Sequence, residues 1–480
     1  MKKNLPAEHN FDAIVIGSGI SGGWAAKELC EGNLKTLLLE RGRDVKHIVD
    51  YPTANKDPWE FPHAGELSHA FRKENPIASR AAGIGESNQH FFTKDAEQVY
   101  IQEKPFDWIR GYQVGGKSLI WGRACQRWSH YEFTGPERMK YGMNWPIGYD
   151  DVADWYSYVE RYIGVCGSND HLAAMPDGEF LPPFEFNKVE SHVREAILKH
   201  YKNRYMVHAR WAHLTEAKEI HKQQGRVSCK ARNACMSGCP FGGYFSSVSS
   251  TIPWAQRTGN LTLKPNSLVN EIIYDEQTKK AAGVRVLDTQ SNEETIYYAR
   301  IIFLNASTLN SNLILLNSKS ERFPNGLGND HELLGKYIGF HNYRGSVSGD
   351  MPGFTEDYYF GRNPSENILA NYVNLDKQDR PFVGGYTTFI AARRHRGIVD
   401  KNIPEVGAAF KDNLSLAGPW FVYMYMQGET IMKESNQVSL SPTAKDKYGM
   451  PQLITSVDYD ENDEKMLEDF LTQSSEMLKI

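Results

Sequence analysis

The run Phe11-Asp-Ala-Ile-Val-Ile-Gly-Ser-Gly-Ile-Ser-Gly22, with Leu37-Leu-Leu-Glu40 behind it, decides the fold. Ala13–Ile16 reads as a buried parallel strand. Gly17 permits the tight turn that follows, Gly19 lets the backbone approach a pyrophosphate, and Gly22 lets the next helix pack close to the strand. That helix, expected from Gly22 to Glu31, aims its N-terminal N–H groups at phosphates. Glu40 ends a second apolar run, about 20 residues on, where an acid can accept hydrogen bonds from a ribose diol. Three glycines alone say little; strand, helix and acid in register make the pattern specific. A dinucleotide-binding βαβ unit is expected over residues 8–44.

At 480 residues the chain has room for two or three domains. A net charge of −5, with both signs interspersed, gives no electrostatic footprint for nucleic acid. Mean hydropathy is negative and no apolar run is long enough for a transmembrane segment. The opening MKKNLPAEHN has no apolar core, so no signal peptide is expected. The default location is cytoplasmic, with periplasmic co-export alongside a partner subunit as the alternative. Of six cysteines, Cys229, Cys235 and Cys239 sit together, while Cys30, Cys125 and Cys166 are scattered; this is not a disulfide framework.

Between Asp44 and Ile109 the sequence is irregular, as lids and cofactor covers often are. Val114-Gly-Gly-Lys-Ser-Leu-Ile-Trp-Gly122 is a second glycine turn, read as leading into a helix. An amphipathic helix is expected up to Ile163, capped by Asp150. Leu261–Val269, Glu271–Asp275 and Gly283–Leu287 read as short strands, Tyr297–Asn305 as one central strand buried on both faces, and Ser307–Leu316 as a helix. From Tyr343 to Gln437 alternating, aromatic-rich runs such as Trp420–Gln427 predict an antiparallel sheet with one polar face. An N-terminal glycine motif, a second Gly-Gly turn after a long insertion, and a three-stranded excursion favour FAD over NAD, because an extended flavin needs a second backbone platform.

With these residues in hand the chain resembles the GMC (glucose–methanol–choline) oxidoreductases. The resemblance is carried by Gly17–Gly22, Glu40-Arg-Gly42, Val114–Ser118, Trp145-Pro-Ile, Cys239-Pro-Phe-Gly-Gly243 and Gly326-Leu-Gly-Asn329. A last block, Glu429 to Asn436 with Val438, Leu440, Asp446, Gly449 and Pro451, extends it over essentially the whole chain. It is nearest in character to the bacterial sugar-dehydrogenase branch, the large subunits of gluconate and glucoside 3-dehydrogenases. The resemblance implies an α/β FAD-binding domain, Rossmann-like and of glutathione-reductase type, over residues 8–342 with loops inserted at about 45–110 and 125–225. It implies an α+β substrate domain with an antiparallel sheet over residues 343–480, incomplete at its C-terminus. By position it places Gly17, Gly19 and Gly22 at the pyrophosphate, Glu40 with neighbouring Arg41 at the adenosine ribose, Gly115, Gly116 and Ser118 along the pyrophosphate–flavin side, Val269 at the adenine, and Ala306 and Ser307 beside the cofactor. The activity implied is oxidation of CH–OH groups of a sugar or polyol. Hydride would pass to flavin N5 and electrons to a cytochrome, quinone or oxygen; a small subunit and a c-type cytochrome are the implied partners.

Three departures stand out. Ile120 occupies the position where some relatives bond flavin through histidine, so the FAD is expected to be non-covalent. Ala306-Ser-Thr-Leu-Asn-Ser-Asn-Leu-Ile-Leu-Leu-Asn-Ser318 lacks the family's Ala-Gly and Ser-Gly pattern. The family's catalytic histidine motif belongs beyond the helix expected from near Asn462, which is read as running to the end at Ile480. Catalytic residues are therefore not assigned, and a non-catalytic FAD-binding role is the rival reading. His341 is read as satisfying a backbone group and His395 as part of a solvated basic turn. The spacing Cys229-x5-Cys235-x3-Cys239 offers three thiolates but no fourth ligand; some resembling dehydrogenases carry an iron–sulfur cluster there. The expectation for this chain is no metal, with a reduced loop packed through Phe241 and Tyr244.

Overall fold

Three elements carry the first glycine turn: β1 (Ala13–Ile16), α1 (Ile20–Glu31) and β2 (Thr36–Leu39). The computed structural model describes residues 6–357, 366–397, 402 and 406–480. After the irregular stretch come α2 (Tyr149–Ile163) and α3 (Lys188–His200), then β3 (Leu261–Lys264), β4 (Ser267–Asp275), β5 (Lys280–Asp288), β6 (Glu294–Tyr298), β7 (Ile301–Leu304) and α4 (Thr308–Asn317).

The order β7-β1-β2-β3 makes a wholly parallel sheet, with Ile301 beside Ala13, Ala13 beside Thr36 and Thr36 beside Leu261. Side chains of a strand alternate between faces, and here they feed two cores. Val15 and Leu38 join Val114, Val248 and Ile252; Ile14, Ile16, Leu37 and Leu39 join Val269, Val284, Val286 and Ile314. α1 lies close to β1 because Gly22 carries no side chain, where a Cβ would stand 1.8 Å from the Gly17 carbonyl oxygen; Gly23 does the same toward Ser247 and Thr251.

The expected strand Tyr297–Asn305 is two strands. It breaks at Ala299-Arg300, so that β6 pairs with β5 in a second sheet and β7 joins the parallel one. β7 is an edge, not a central strand; Ile301 and Phe303 stay 41% and 39% exposed. Leu261–Val269 also divides, at Pro265 and Asn266, where Asn266 takes φ +56°. β4 then runs on through a bulge between Val269 and Glu271, so Val269 sits near its start.

The second half supplies β8 (Ser346–Met351), β9 (Tyr386–Arg396), β10 (Ala417–Glu429), β11 (Gln437–Lys445), β12 (Pro451–Ser456) and α5 (Glu461–Met477). β8, β9 and β10 build an antiparallel sheet with the short strands His341–Asn342, Asn367–Leu369 and Met206–Val207. One face of β10, from Trp420 to Met426 at every second residue, packs with Val189, Val193 and Ile197 of α3 and Met466, Phe470 and Met477 of α5. The other face was expected to be polar and is a half-buried aromatic row: Phe421, Tyr423 and Tyr425, with neighbouring centroids 6.0 and 6.3 Å apart.

Four local expectations are corrected. α2 is capped at Gly148, whose N–H donates to Asp151 Oδ2 at 2.7 Å, and Asp150 lies inside the helix. His395 is in strand β9, stacked on Phe421 at 4.3 Å and 3.4 Å from Asp350, because cross-strand contacts hold a basic run that was read as a turn. α5 starts on Asp460, which accepts from the N–H groups of Asn462 and Asp463, and stops at Met477, short of Ile480. The second glycine turn leads into a single 3₁₀ turn, Gly116–Leu119, rather than a longer helix.

Candidate functional site

A cavity of about 460 Å³ opens where the C-terminal ends of β1, β2 and β7 meet the second glycine turn. Its wall includes Gly17, Gly19, Glu40, Arg41, Gly116, Ser118, Val269, Ala306 and Ser307, nine of the eleven positions singled out in the sequence. Gly22 and Gly115 do not line it. Gly22 is needed for helix-to-strand packing, and a Cβ on Gly115 (φ +88°) would meet Val248 Cγ1 at 2.7 Å.

The two turns touch. A Cβ on Gly116 would come 3.2 Å from the Gly19 Cα, and the Gly115 N–H donates to Ser18 Oγ at 3.0 Å. Ser247 fastens both: its hydroxyl donates to the Gly19 carbonyl and its N–H donates to Ser118 Oγ, each at 3.0 Å. Gly17, at φ +95°, brings its backbone against the carbonyl of Asn305. By contrast, a Cβ on Gly19 would have nothing within 4 Å, because that position faces the cavity.

Glu40 is buried. Its Oε2 accepts from the N–H and hydroxyl of Ser18, and Oε1 from the Gly42 N–H at 2.9 Å. Burial pushes its pKa up, opposed by these donors and by Arg41. Arg41 stacks on Tyr112 at 4.5 Å and lies 3.7 Å from Asp446. Asn305 on the same wall has a buried Oδ1 without a hydrogen-bond partner.

Several wall residues escaped sequence reasoning. Trp108, Arg110 and Tyr112 close one side; Trp108 lies at the end of the irregular stretch, and the other two lie between it and the second glycine turn. Asn310 of α4 donates to the Tyr112 hydroxyl at 3.1 Å. Lys117 was legible in principle, as the one charged residue inside the second turn. Among the described residues no histidine lines the cavity. His341 pairs across to Glu429, and its ring is hydrogen-bonded to the Gly428 backbone.

The cysteine loop packs beside the second turn, through the Tyr244 hydroxyl that donates to the Leu119 carbonyl at 2.9 Å. All three cysteines are free, and burial pushes Cys229 up and Cys235 up to about 11. Arg123 Nη2 donates to the Cys235 carbonyl at 3.2 Å. Among the described residues no group of three or more His, Cys, Asp or Glu side chains is arranged to hold a metal ion.

A cavity bounded by two glycine turns, with an acid at the end of the second strand, is the arrangement of a dinucleotide site. The family profile described as GMC oxidoreductase matches residues 11–342. The chain belongs to the GMC oxidoreductase family. As a member it is an FAD-dependent oxidoreductase of CH–OH donors, and the residues present fit that cofactor: the wall is stripped of side chains at Gly19 and offers an unsatisfied Asn305 oxygen. Among curated relatives, 2-methyl-1,2-propanediol dehydrogenase of Mycolicibacterium austroafricanum is 23% identical over 94% of this chain and 77% of its own length. The fructose dehydrogenase large subunit of Gluconobacter japonicus is 21% identical over 94% and 80%. A solved formate oxidase of Aspergillus oryzae superposes with a TM-score of 0.54 over 99% of this chain and 81% of its own, at 13% identity, a likeness of fold.

Proposed function

We propose that this GMC oxidoreductase oxidises a sugar or polyol at a CH–OH group, with FAD held non-covalently between the two glycine turns. The observation that carries the reading is the cavity at the C-terminal ends of the parallel strands, floored by Gly19 and Gly116 and ended by Glu40. FAD, when bound, accepts the hydride. The chain's part is to bind and orient: the open N–H groups at the start of α1 face the phosphates, and the remaining lone pairs of Glu40 face the ribose. Ile120 packs into the apolar core around Leu119 and Val248 rather than lining the cavity, which supports a cofactor without a covalent link there.

The relatives named for a diol and for fructose support a polyhydroxy substrate. The words 'large subunit' in the fructose dehydrogenase name support a partner subunit; a small subunit and a c-type cytochrome are the partners proposed, with quinone or oxygen as other acceptors. Residues 8–342 form the cofactor part in this reading and residues 343–480 the substrate part, to which Met206–Val207 adds a strand. No described helix is long and apolar enough to cross a membrane; the proposed location is cytoplasmic, or periplasmic if exported with a partner.

Removal of hydride from an alcohol also needs a base for the hydroxyl proton. No histidine lines the cavity among the described residues, which favours a second reading, FAD binding without catalysis. Anaerobic mixing of the flavin-loaded protein with a panel of sugars and polyols separates the two. Bleaching of the flavin by at least one alcohol is expected; a flavin that stays oxidised with all of them supports the second reading.

A further inference from the structure

Four ionisable side chains besides Tyr112 line the cavity, and three are already partnered. Glu40 is held by Ser18 and Gly42. Arg41 faces Asp446 and stacks on Tyr112. Arg110 donates to the Gln98 carbonyl at 2.6 Å, lies 3.8 Å from Asp95 and stacks on Trp108 at 5.0 Å. Lys117 differs. Among the described residues its ammonium group has no hydrogen bond and no ion pair, although it is exposed on the cavity wall and ringed by protein atoms that lower its pKa.

Its position is specific. Lys117 follows Gly116, the residue that touches Gly19, and Gly19 is the cap residue of α1. The lysine stem lies over Gly111, with Cγ 3.5 Å from where a Cβ of that glycine would be. The first turn of α1 contains no acid, and no side chain caps it. A free cation and a helix start with open N–H groups therefore meet on one wall, both favouring a negative group. An anion placed on that wall gains from both the free ammonium group and the open N–H groups.

On the reading that FAD occupies this cavity, we propose that Lys117 is the counter-charge for its diphosphate. Glu40 and Lys117 then divide the work: the acid holds the ribose hydroxyls, the lysine neutralises the phosphates, and the glycines between them clear the path.

Binding of FAD, ADP and adenosine to the flavin-free full chain and to Lys117→Met tests this. FAD and ADP should weaken by one common factor of about 10- to 100-fold, the worth of a hydrogen bond to a charged group. Adenosine should be unaffected, Lys117→Arg should retain most of the affinity, and added salt should narrow the gap between wild type and Lys117→Met. Loss of FAD affinity with ADP unchanged would move the lysine to the flavin ring and overturn the proposal. Unchanged affinity for both would make Lys117 a solvated surface charge, also against it. If Lys117→Met does not fold, Lys117→Gln takes its place with the same readout. A wild-type chain that binds ADP but not FAD contradicts the cofactor reading itself, which is a different result from failure of the lysine.

Discussion

Ser18 holds Glu40 twice, through its N–H at 3.1 Å and its hydroxyl at 2.5 Å. The same hydroxyl accepts from the Gly115 N–H, so one serine locks the acid of the second strand to both glycine turns. Glu40→Gln keeps the size but removes the charge that strengthens hydrogen bonds to a ribose diol, and it turns one acceptor into a donor facing the N–H of Ser18 or Gly42. FAD affinity should fall about 10-fold or more in that variant and less in Ser18→Ala, read by titrating flavin-free protein. Equal affinities in all three proteins would take Glu40 out of the site.

Gly22 and Gly17 predict a folding defect, separate from any ligand. A Cβ at Gly22 would stand 1.8 Å from a backbone oxygen that is itself pinned by the turn. Overpacking of a rigid site costs at least ~1–3 kcal/mol. Gly22→Ala should therefore lower the melting temperature or abolish soluble protein, with or without FAD; a variant as stable as wild type would show that the helix can shift.

The Ile120 side chain, packed in the core, predicts that flavin separates from the polypeptide. Precipitation in acid should leave a colourless pellet and a yellow supernatant. Flavin retained on the precipitated chain would demand a covalent bond from some other residue.

His221 makes acid stability testable. Its Nδ1 accepts from the Lys218 N–H and its other ring nitrogen meets the Arg161 carbonyl, both at 3.0 Å, so the bonds require the neutral ring. Burial, with help from Arg226, holds its pKa down at about 4. The unfolded residue titrates near ~6.5, so below that pH the unfolded chain gains a proton that the folded one refuses. The contribution is complete above the unfolded pKa and is lost as pH falls through the folded one, with a slope of about 1.4 kcal/mol per pH unit. Urea unfolding from about pH 7 to about 4.5 should show stability falling, and His221→Gln should make the fall shallower by the share of one ring, with His47, His90 and His213, also held low by burial, keeping theirs. Parallel curves would mean that His221 is not the neutral buried ring described.

The first βαβ unit was legible because glycine spacing and an all-apolar strand are local signals: Ala13–Ile16 has the bounds the sequence implied, and the helix starts two residues earlier than expected. Tyr297–Asn305 misled because an apolar run does not reveal a change of sheet at Ala299 and Arg300, which tertiary pairing decides. Asp150 misled for a smaller reason: either of two adjacent aspartates can cap, and the backbone geometry selects Gly148 with Asp151. The far wall of the cavity, Trp108 to Tyr112 with Asn310, joins segments 198 residues apart and leaves no periodic trace. Gly22 packs the helix against the strand, as its place in the motif implied, and Gly115 supports the cavity wall from behind.

The central claim is that FAD lies between the two glycine turns, and Gly19 tests it most directly. A Cβ there has nothing of the protein within 4 Å, so Gly19→Val leaves the packing intact while filling the space that the pyrophosphate needs. Flavin content should be one FAD per chain in wild type and near zero in Gly19→Val, with circular dichroism and solubility unchanged. A soluble Gly19→Val protein with full flavin occupancy would contradict the account.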